Sequence, residues 1–394
     1  MLPFGGYEND VNIFVGWANV VLRVGPHALY ATAAGPGSPT INYPPGYAIV
    51  LASVAYLGRA LGLASAEGHR GFVVLLKLPA ALADLAGAVV AAAIVRPRYG
   101  DRAAAVAVAI ALFAPWTWPI SALWGQVDAL ATLPLLAALG LAAAGRFSWS
   151  WVVLAAGILV KPFPVLVAPL IVVLQFRSHP GPRALLSGPI AAIGLAYLVA
   201  LPFASGASPA AVASFLLRQY VAGQSLFPVT SVNAYNLWTL VTGPQTDRVQ
   251  VAGLSLQEWG WTAYLLFAAV ITATFAQRLR AARSEPAREL AVASFLVLAG
   301  MFVLMTRMHE RYLIYALAIV PWLWFTGRTE RVAAILFTVT FTLNVGLDLL
   351  SKHANFVLPF ALVRSLSWAN VAGLAFAAIR FVRPALPDGP TLRT

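Results

Sequence analysis

The stretch RMHERYL, residues 307–313, concentrates residue types that bind anions. Arg307, His309 and Arg311 offer hydrogen-bond donors suited to a phosphate group, and Glu310 could hold one arginine in place or contact a substrate. Charges this dense beside apolar segments are costly unless they are solvated or functional. A short solvated loop is the alternative, but the pattern favours a phosphate site.

A single acid stands out near the start of the chain. Asp10 lies in GGYENDVNIFVGW, residues 5–17, between glycine and aromatic residues and just before an apolar segment. A solvated loop acid or a helix N-cap is the ordinary role of such an aspartate. A general base is the functional alternative, and the side of the membrane that Asp10 shares with the other unusual residues favours it.

Two lysines interrupt apolar runs. Lys77, in VVLLKLPAALADL, could extend its ammonium group to the lipid headgroups or could face a phosphate. Lys161 stands before Pro162 and Pro164, where two half-helices would meet. Broken helices in membrane proteins commonly line a cavity. We therefore regard both lysines as candidate ligands of a donor phosphate.

Amides and aromatic rings in three further segments could recognise a sugar. Asp128 could equally cap the helix that follows it, and the loop residues could equally belong to a helix resting on the membrane. The candidate substrate-binding residues of these segments are Tyr43 in NYPPGY, Gln126 and Asp128 in WGQVD, and Asn233, Asn236 and Trp238 in SVNAYNLW.

The composition indicates a polytopic helical membrane protein. Hydrophobic residues make up 60% of the sequence, charged residues only 10%, and apolar runs recur along the whole length. This excludes a soluble two-domain protein. The net charge of +12 comes from arginines in short loops between apolar runs, so nucleic-acid binding is not expected. The absence of cysteine excludes a thiol nucleophile and a cysteine metal site.

Apolar segments of membrane length define the expected helices. Residues 11–24 are expected to form an amphipathic helix on the membrane surface. Residues 42–62, which open with two prolines, are expected to be re-entrant or interfacial, and the run 149–176 is expected to break at Lys161 and Pro162. The other expected spans are residues 72–95, 103–121, 128–145, 184–204, 258–277, 289–306, 312–326, 332–350 and 366–383.

These spans sort the loops onto two faces. One face carries fifteen of the 26 basic residues, and the positive-inside rule assigns it to the cytoplasm. The opposite, outer face receives all the motifs described above. We expect one integral-membrane domain over residues 1–394, divided into an outer-face loop at 1–71, a catalytic bundle at 72–204, an outer loop at 205–257 and C-terminal helices at 258–394.

The order of the motifs resembles that of the GT-C glycosyltransferases, which use polyprenyl-phosphate sugars. The series runs over residues 5–325: an acid seven residues before a tryptophan, a YPP turn, a basic residue heading a helix, a G-x-Q-x-D turn, a lysine between half-helices, an asparagine-rich loop and an H-E-R turn. It looks most similar to the lipid-linked-oligosaccharide glucosyltransferases of the endoplasmic reticulum and their bacterial relatives. The sequence begins inside the family's first outer loop, so the preceding transmembrane helix is expected to be missing.

The resemblance implies an all-α, GT-C-like bundle of about 10–12 membrane helices with short amphipathic helices on the outer face. It also implies roles for individual residues, Asp10 being the catalytic acid by its spacing to Trp17. Asn12 departs from the pattern, because the eukaryotic enzymes have a second acid there. The other matching positions are Asn42 in place of the usual aspartate of the YPP turn, Lys77, the WGQVD turn, Lys161 and His309-Glu310-Arg311.

From these features we predict an inverting glycosyltransferase that moves a hexose from a polyprenyl-phosphate donor to an acceptor hydroxyl. The acceptor would be a glycan, a lipid-linked glycan or a protein, on the periplasmic or outer side of a bacterial inner membrane. Asp10 would act as base, and the cations would stabilise the leaving phosphate. No cofactor or metal is expected, although Asp10 and Asp128 could both reach a divalent cation. A lipid-linked-glycan flippase or transporter, and a glycan polymerase or ligase, are the alternatives.

Overall fold

The computed structural model describes residues 6–32, 40–63, 70–178, 181–282, 284–354 and 357–383. The front of the first stretch at Gly5, parts of two basic loops at 179–180 and 283, and the basic tail beyond residue 383 lie outside the described residues. Within them the chain is 77% helical with almost no sheet, which confirms the predicted all-α membrane class.

Fifteen α-helices and four two-residue β-strands occur in the described residues. The helices are α1 (Glu8–Val24), α2 (Pro45–Ala60), α3 (Arg70–Phe113), α4 (Ala129–Ala143), α5 (Phe147–Ile158), α6 (Ala168–Ser178), α7 (Pro182–Ala200), α8 (Pro209–Ser225), α9 (Leu237–Val241), α10 (Leu256–Arg278), α11 (Pro286–Leu304), α12 (Ile314–Leu317), α13 (Val320–Leu323), α14 (Arg328–Ala354) and α15 (Phe360–Val382). The strands are β1 (Ser231–Val232), β2 (Gln250–Val251), β3 (Leu254–Ser255) and β4 (Met308–His309).

Six of the described helices, α3, α7, α10, α11, α14 and α15, are long and apolar enough to cross a membrane. Shorter apolar helices, among them α4 and α5, complete the bundle. The chain is therefore a multi-pass membrane protein. Helix α3 contains two of the expected spans, because Gly100 has a φ of +84° that breaks the helix. Its second part ends at Phe113 and not at residue 121, since Pro115 and Pro119 follow.

The prediction of one continuous span over residues 312–326 is wrong. This segment forms the short helices α12 and α13, linked by tight turns in which Ile319 N–H donates to the Ala316 carbonyl and Trp322 N–H to that of Ile319. The physical reason is Pro321, which has no N–H to donate to Leu317. The segment is buried on all sides, so the surrounding helices and not the membrane support its backbone.

The basic loops meet at one end of the bundle, which we call the basic end. There Arg98 donates to the Ala143 carbonyl at 3.1 Å, and Arg278 donates to the Phe381 carbonyl at 2.8 Å. Arg288 likewise joins the start of α11 to the Thr326 carbonyl, in the turn after α13, and to Glu330 on α14. Carbonyls left unpaired at helix ends thus find guanidinium donors.

The motifs collect at the opposite end, which we call the motif end. Tyr7 N–H donates to the Trp124 carbonyl at 3.0 Å, and the Lys77 ammonium donates to the carbonyls of Ala122 and Leu123 at 3.1 and 3.2 Å. The first helix and the head of α3 are thereby tied to the WGQVD turn. This arrangement agrees with the prediction that the arginine-rich loops lie on one face of the bundle and the motifs on the other.

Two irregular segments follow the expectations. The run 149–176 breaks after Ile158, turns through Lys161 and resumes as a short 3-10 helix before α6. Helix α2 begins where Gly46 N–H donates to the Leu159 carbonyl at 2.8 Å and ends where Gly58 packs on the ring of Phe72. Both neighbours belong to the motif end, so α2 does not run to the basic end. Helix α1 packs its apolar face against α2.

Because the chain contains no cysteine, single-cysteine variants can test these two ends. We expect a membrane-impermeant maleimide to label Ser225→Cys and Arg59→Cys from one side of sealed vesicles, and Ser178→Cys and Arg280→Cys only from the other. All four positions are exposed. Labelling of Arg59→Cys together with Ser178→Cys would mean that α2 crosses the membrane, which would contradict the observed packing.

Candidate active site

A cavity of about 350 Å³ lies at the motif end. It is enclosed by the first turns of α1, the turn before α2, the WGQVD turn, the loop after α8, the segment after β4 and the end of α14. Its wall combines aromatic rings with a few charged groups. The lining residues are Tyr7, Asn9, Asp10, Ile13, Phe14, Trp17, Asn42, Tyr43, Trp124, Leu226, Phe227, Val232, His309, Glu310, Arg311, Tyr312 and Lys352.

Asp10 projects into this cavity from the first turn of α1. Its Oδ2 accepts hydrogen bonds from the Trp124 indole at 2.9 Å and from the Gln126 amide, both more than a hundred residues away in sequence. Asp10 is therefore not an N-cap, and α1 begins two residues earlier, at Glu8. Since none of the described residues donates to Oδ1, one oxygen of the carboxylate is available to a ligand.

Asp128 is fully buried below the cavity and lies at the centre of an ionic cluster. Its Oδ1 accepts from Lys161 Nζ at 2.7 Å and from the Tyr315 hydroxyl at 3.0 Å, while Arg311 Nε lies 3.7 Å from Oδ2. Burial raises the pKa of the Asp128 carboxyl, but Lys161 and Arg311 outweigh this effect and hold the pKa below its usual value. Asp128 does not act as a helix cap, because its side chain accepts no N–H of α4.

Lys161 does not line the cavity itself, but its ammonium group contacts two aromatic rings that do. Its ammonium lies 5.1 Å from the centre of the Tyr43 ring and 5.7 Å from that of Tyr312, within cation–π distance. It borders a smaller pocket of about 70 Å³ behind Tyr43. Tyr43 itself lines both spaces, so the break between α5 and α6 supports the cavity from below.

Arg311 connects the cluster to the cavity. Its guanidinium donates to Glu310 Oε1 at 2.6 Å and lies 5.5 Å from the centre of the Trp124 ring. Buried polar groups normally have partners, yet within the described residues Arg311 Nε and Glu310 Oε2 have none. Both atoms are buried, Arg311 Nε beside Asp128 and Glu310 Oε2 beside His309, so these two side chains keep unused hydrogen-bonding capacity at the cavity wall.

His309 lines the cavity as a neutral group. Burial is the main cause, and the charges of Arg311, Lys161 and Lys352 add to it, so the pKa of His309 lies well below its usual range. Its Nδ1 is 3.8 Å from Glu310 Oε2, too far for a hydrogen bond. His309 can donate one hydrogen bond to a phosphate but adds no positive charge at neutral pH.

Lys352, at the end of α14, is a cavity cation that the sequence analysis missed. Its ammonium pairs with Asp348 at 2.6 Å and lies 4.8 and 5.2 Å from the ring centres of Tyr7 and Trp124. The sequence does contain a signal for this residue, because Lys352 is one of only three lysines among the 26 basic residues, and the other two are candidate phosphate ligands.

Two predicted phosphate ligands do not line the cavity. Lys77 supports the WGQVD turn from below through the two carbonyl bonds described above. Arg307 makes a two-pronged pair with the buried Asp247 and also donates to Gln257 at 2.8 Å and to the Gln224 carbonyl. A guanidinium held by a carboxylate in this way is fixed in place, so Arg307 anchors the loop after α8.

The predicted sugar-binding residues of the 231–238 segment also hold the loop. Asn233 donates to Asp348 at 2.8 Å, and the Asn236 side chain caps α9 by accepting from Trp238 N–H. The Trp238 indole donates to the Leu304 carbonyl at 2.8 Å. None of the three lines the cavity, because their polar groups are occupied inside the protein.

Two asparagines within apolar helices also hold the 231–238 segment in place. Sequence reasoning missed both. Asn344 on α14 accepts from Tyr235 N–H and donates to the Asn233 carbonyl, while Asn370 on α15 donates to the Tyr235 carbonyl at 2.7 Å. Polar side chains at membrane depth are a recognisable signal. Through the pairing of β1 with β4, Val232 beside His309, the anchored loop fixes the position of His309.

The site therefore combines two carboxylates, two cations and unpaired polar atoms around an aromatic cavity. Such a set can accept a proton, stabilise a leaving anion and bind hydroxyl groups. Within the described residues, no three histidine, aspartate or glutamate side chains are grouped as metal ligands would be. The individual roles remain predictions.

No protein-family model matches the sequence, and no curated protein is similar to it at a significant level. In structure, 97% of the chain resembles 53% of the archaeal oligosaccharyltransferase AglB from Archaeoglobus fulgidus in complex with an inhibitory peptide and a dolichol-phosphate, at 12% identity and a TM-score of 0.46. The chain also resembles ArnT from Cupriavidus metallidurans in the apo state, over 94% of its own length and 72% of that chain, at 15% identity and a TM-score of 0.41. The chain spans about half the length of AglB.

The Asp128 cluster leads to a stability prediction with an internal control. Asp128→Asn leaves Lys161 buried without its counter-charge, so we expect a loss of about 3–5 kcal/mol in unfolding free energy. Asp101→Asn removes the partner of Arg96 in an ion pair whose side chains are 69% and 79% exposed, and it should cost less than about 1 kcal/mol. Thermal unfolding in detergent measures both.

The same cluster predicts a pH dependence. Because the pKa of Asp128 is lowered in the folded protein, its contribution to stability is present above the ordinary carboxyl pKa of about 4 and is lost as pH falls through the lower, folded value. Wild type should therefore lose stability on acidification below pH of about 4 more steeply than Asp128→Asn. Equal slopes would contradict an ionised Asp128.

Proposed function

We propose that the chain is an inverting glycosyltransferase that transfers a hexose from a polyprenyl-phosphate donor to an acceptor hydroxyl. One observation carries the proposal. The carboxylate of Asp10 and the cations Arg311 and Lys352 line one cavity. The Trp124 indole lies between them: its N–H donates a hydrogen bond to Asp10, and both cations lie within 5.5 Å of its ring centre. A base and an anion site that face one space are what this transfer requires.

The wall of the cavity suits a sugar. Aromatic rings present flat apolar surfaces on which the C–H faces of a pyranose can pack. Unpaired acceptors at Asn42 Oδ1 and Glu310 Oε2 are buried and point to a ligand that brings hydroxyl donors. A volume of about 350 Å³ accommodates a monosaccharide and a phosphate group.

In the proposed step, Asp10 takes the proton of the acceptor hydroxyl as the acceptor oxygen attacks the anomeric carbon. The bond between that carbon and the phosphate oxygen breaks, and its electron pair leaves with polyprenyl phosphate. Attack from the face opposite the leaving group inverts the configuration. Asp10 is held by Trp124 and Gln126 through one oxygen, so the other oxygen can receive the proton.

The leaving group gains one negative charge during this step. Arg311 and Lys352 offset it electrostatically, and a fixed cation in a cavity with little water does so more effectively than solvent. Arg311 is already held by Glu310 and Asp128, so little reorganisation is needed. His309 contributes a hydrogen bond, while Lys161 acts through Asp128 and the ring of Tyr43.

We further propose that the motif end faces the periplasm or cell exterior of a bacterial inner membrane. The supporting observation is the concentration of arginines at the opposite end, which the positive-inside rule assigns to the cytoplasm. Donor and acceptor would then both meet the enzyme on the outer side, the donor by its lipid chain and the acceptor as a glycan, a lipid-linked glycan or a protein. No metal is part of the proposed step.

The proposed base can be tested with Asp10→Asn in an assay of hexose transfer from a polyprenyl-phosphate hexose. Removing a positioned base should lower kcat by about 10² to 10⁴ and change the KM of the donor little. Glu8→Gln is the matched control, because Glu8 lies in the same helical turn but is exposed and outside the cavity. Near-normal kcat in folded Asp10→Asn would exclude the role. Movement of the lipid-linked sugar without release of polyprenyl phosphate would indicate a transporter.

The anion site can be tested at Lys352, whose side chain is 26% exposed and so replaceable without opening the core. Lys352→Gln should raise the donor KM about tenfold and leave the acceptor KM unchanged, since it removes one phosphate-facing charge. Arg364→Gln, an exposed cation on α15 outside the cavity, is the control. A rise confined to the acceptor KM would contradict the assignment.

A further inference from the structure

A second large cavity lies far from the proposed active site, near the basic end. It is a groove of about 630 Å³ between the later part of α3 and the end of α4. Short side chains create it, and where Gly140 faces Ile94 the two helices approach so closely that a Cβ on Gly140 would lie 2.6 Å from that side chain. The lining residues are Val90, Ala93, Ile94, Pro97, Arg98, Ala137, Gly140, Leu141, Ala144 and Arg146.

The groove is apolar along its length and basic at one end. Both of its charged residues, Arg98 and Arg146, are exposed arginines at the basic end of the helices. No acidic side chain of the described residues lines it, and the neighbouring Asp101 is already paired with Arg96 at 2.6 Å. The positive charge at the mouth of the groove is therefore not balanced by the protein.

The donors at the mouth are only partly used. Arg98 bridges the two helices by donating to the carbonyls of Ile94 at 3.0 Å and Ala143 at 3.1 Å. A guanidinium has five N–H groups, so Arg98 is fixed in place and keeps donors that point away from the backbone. Arg146 directly precedes α5 and adds a second guanidinium group at the same mouth.

We propose that this groove is a binding site for an anionic glycerophospholipid. One acyl chain lies between α3 and α4, and the phosphate group binds Arg98 and Arg146. Basic pockets between transmembrane helices at the cytoplasmic side are suited to anionic headgroups. From residue 90 to residue 98 the helix rises about 12 Å, which matches the upper part of one acyl chain and is short for a long polyprenyl chain. The site is independent of the proposed transfer reaction.

Native mass spectrometry of the delipidated full-length protein, titrated with phosphatidylglycerol or phosphatidylcholine, tests the proposal. Wild type should bind one phosphatidylglycerol at least about tenfold more tightly than phosphatidylcholine. Arg98→Gln combined with Arg146→Gln should abolish this preference. Arg177→Gln combined with Arg328→Gln, which removes the same charge from exposed positions at the same end, should retain it.

Ala93→Phe provides a second variant that keeps both arginines. Ala93 is exposed in the groove, so a phenyl ring there should fill the space of the acyl chain without disturbing the core, and tight binding of phosphatidylglycerol should be lost. Equal loss in both arginine pairs would mean general attraction to the basic end and would overturn the site. Displacement of phosphatidylglycerol by equimolar polyprenyl phosphate would overturn the choice of a glycerophospholipid.

Discussion

The buried carboxylate of Asp128 is the constraint on which the motif end depends. A charge without solvent has to be neutralised, and two other segments of the chain do so: one supplies Lys161, and the other supplies Arg311 and Tyr315. The break between α5 and α6 places the lysine, and the segment after β4 places the arginine. Once these contacts form, the floor of the cavity and the position of Arg311 are determined together.

A second group of contacts holds the outer loop in a different way. Side-chain amides of α14 and α15 make hydrogen bonds to its backbone, and the ion pair of Arg307 with Asp247 adds a further contact. Few apolar side chains are needed, because each amide satisfies buried backbone groups that would otherwise be costly. A loop that carries little hydrophobic core can still be rigid enough to set the position of His309 through one short β-bridge.

Composition and hydropathy predicted the class of fold, the two ends of the bundle, the break at Lys161 and the behaviour of α2. They failed at the 312–326 segment, because burial by other helices and passage through lipid leave the same apolar pattern in a sequence. Residue type also could not separate Arg307 from Arg311. Both are arginines in one short stretch, and only the position of Asp247, sixty residues away, decides which of them is occupied. Lys352 was missed for the related reason that a lone lysine at the end of a span is usually only an anchor to the headgroups.

The ring of Trp124 joins two halves of the site that are made at very different times. Asp10 and its two donors lie within the first 126 residues, whereas Arg311 and Lys352 belong to the last third of the chain. A chain that stops before residue 311 would therefore contain the proposed base and its two donors but neither cation of the proposed phosphate site.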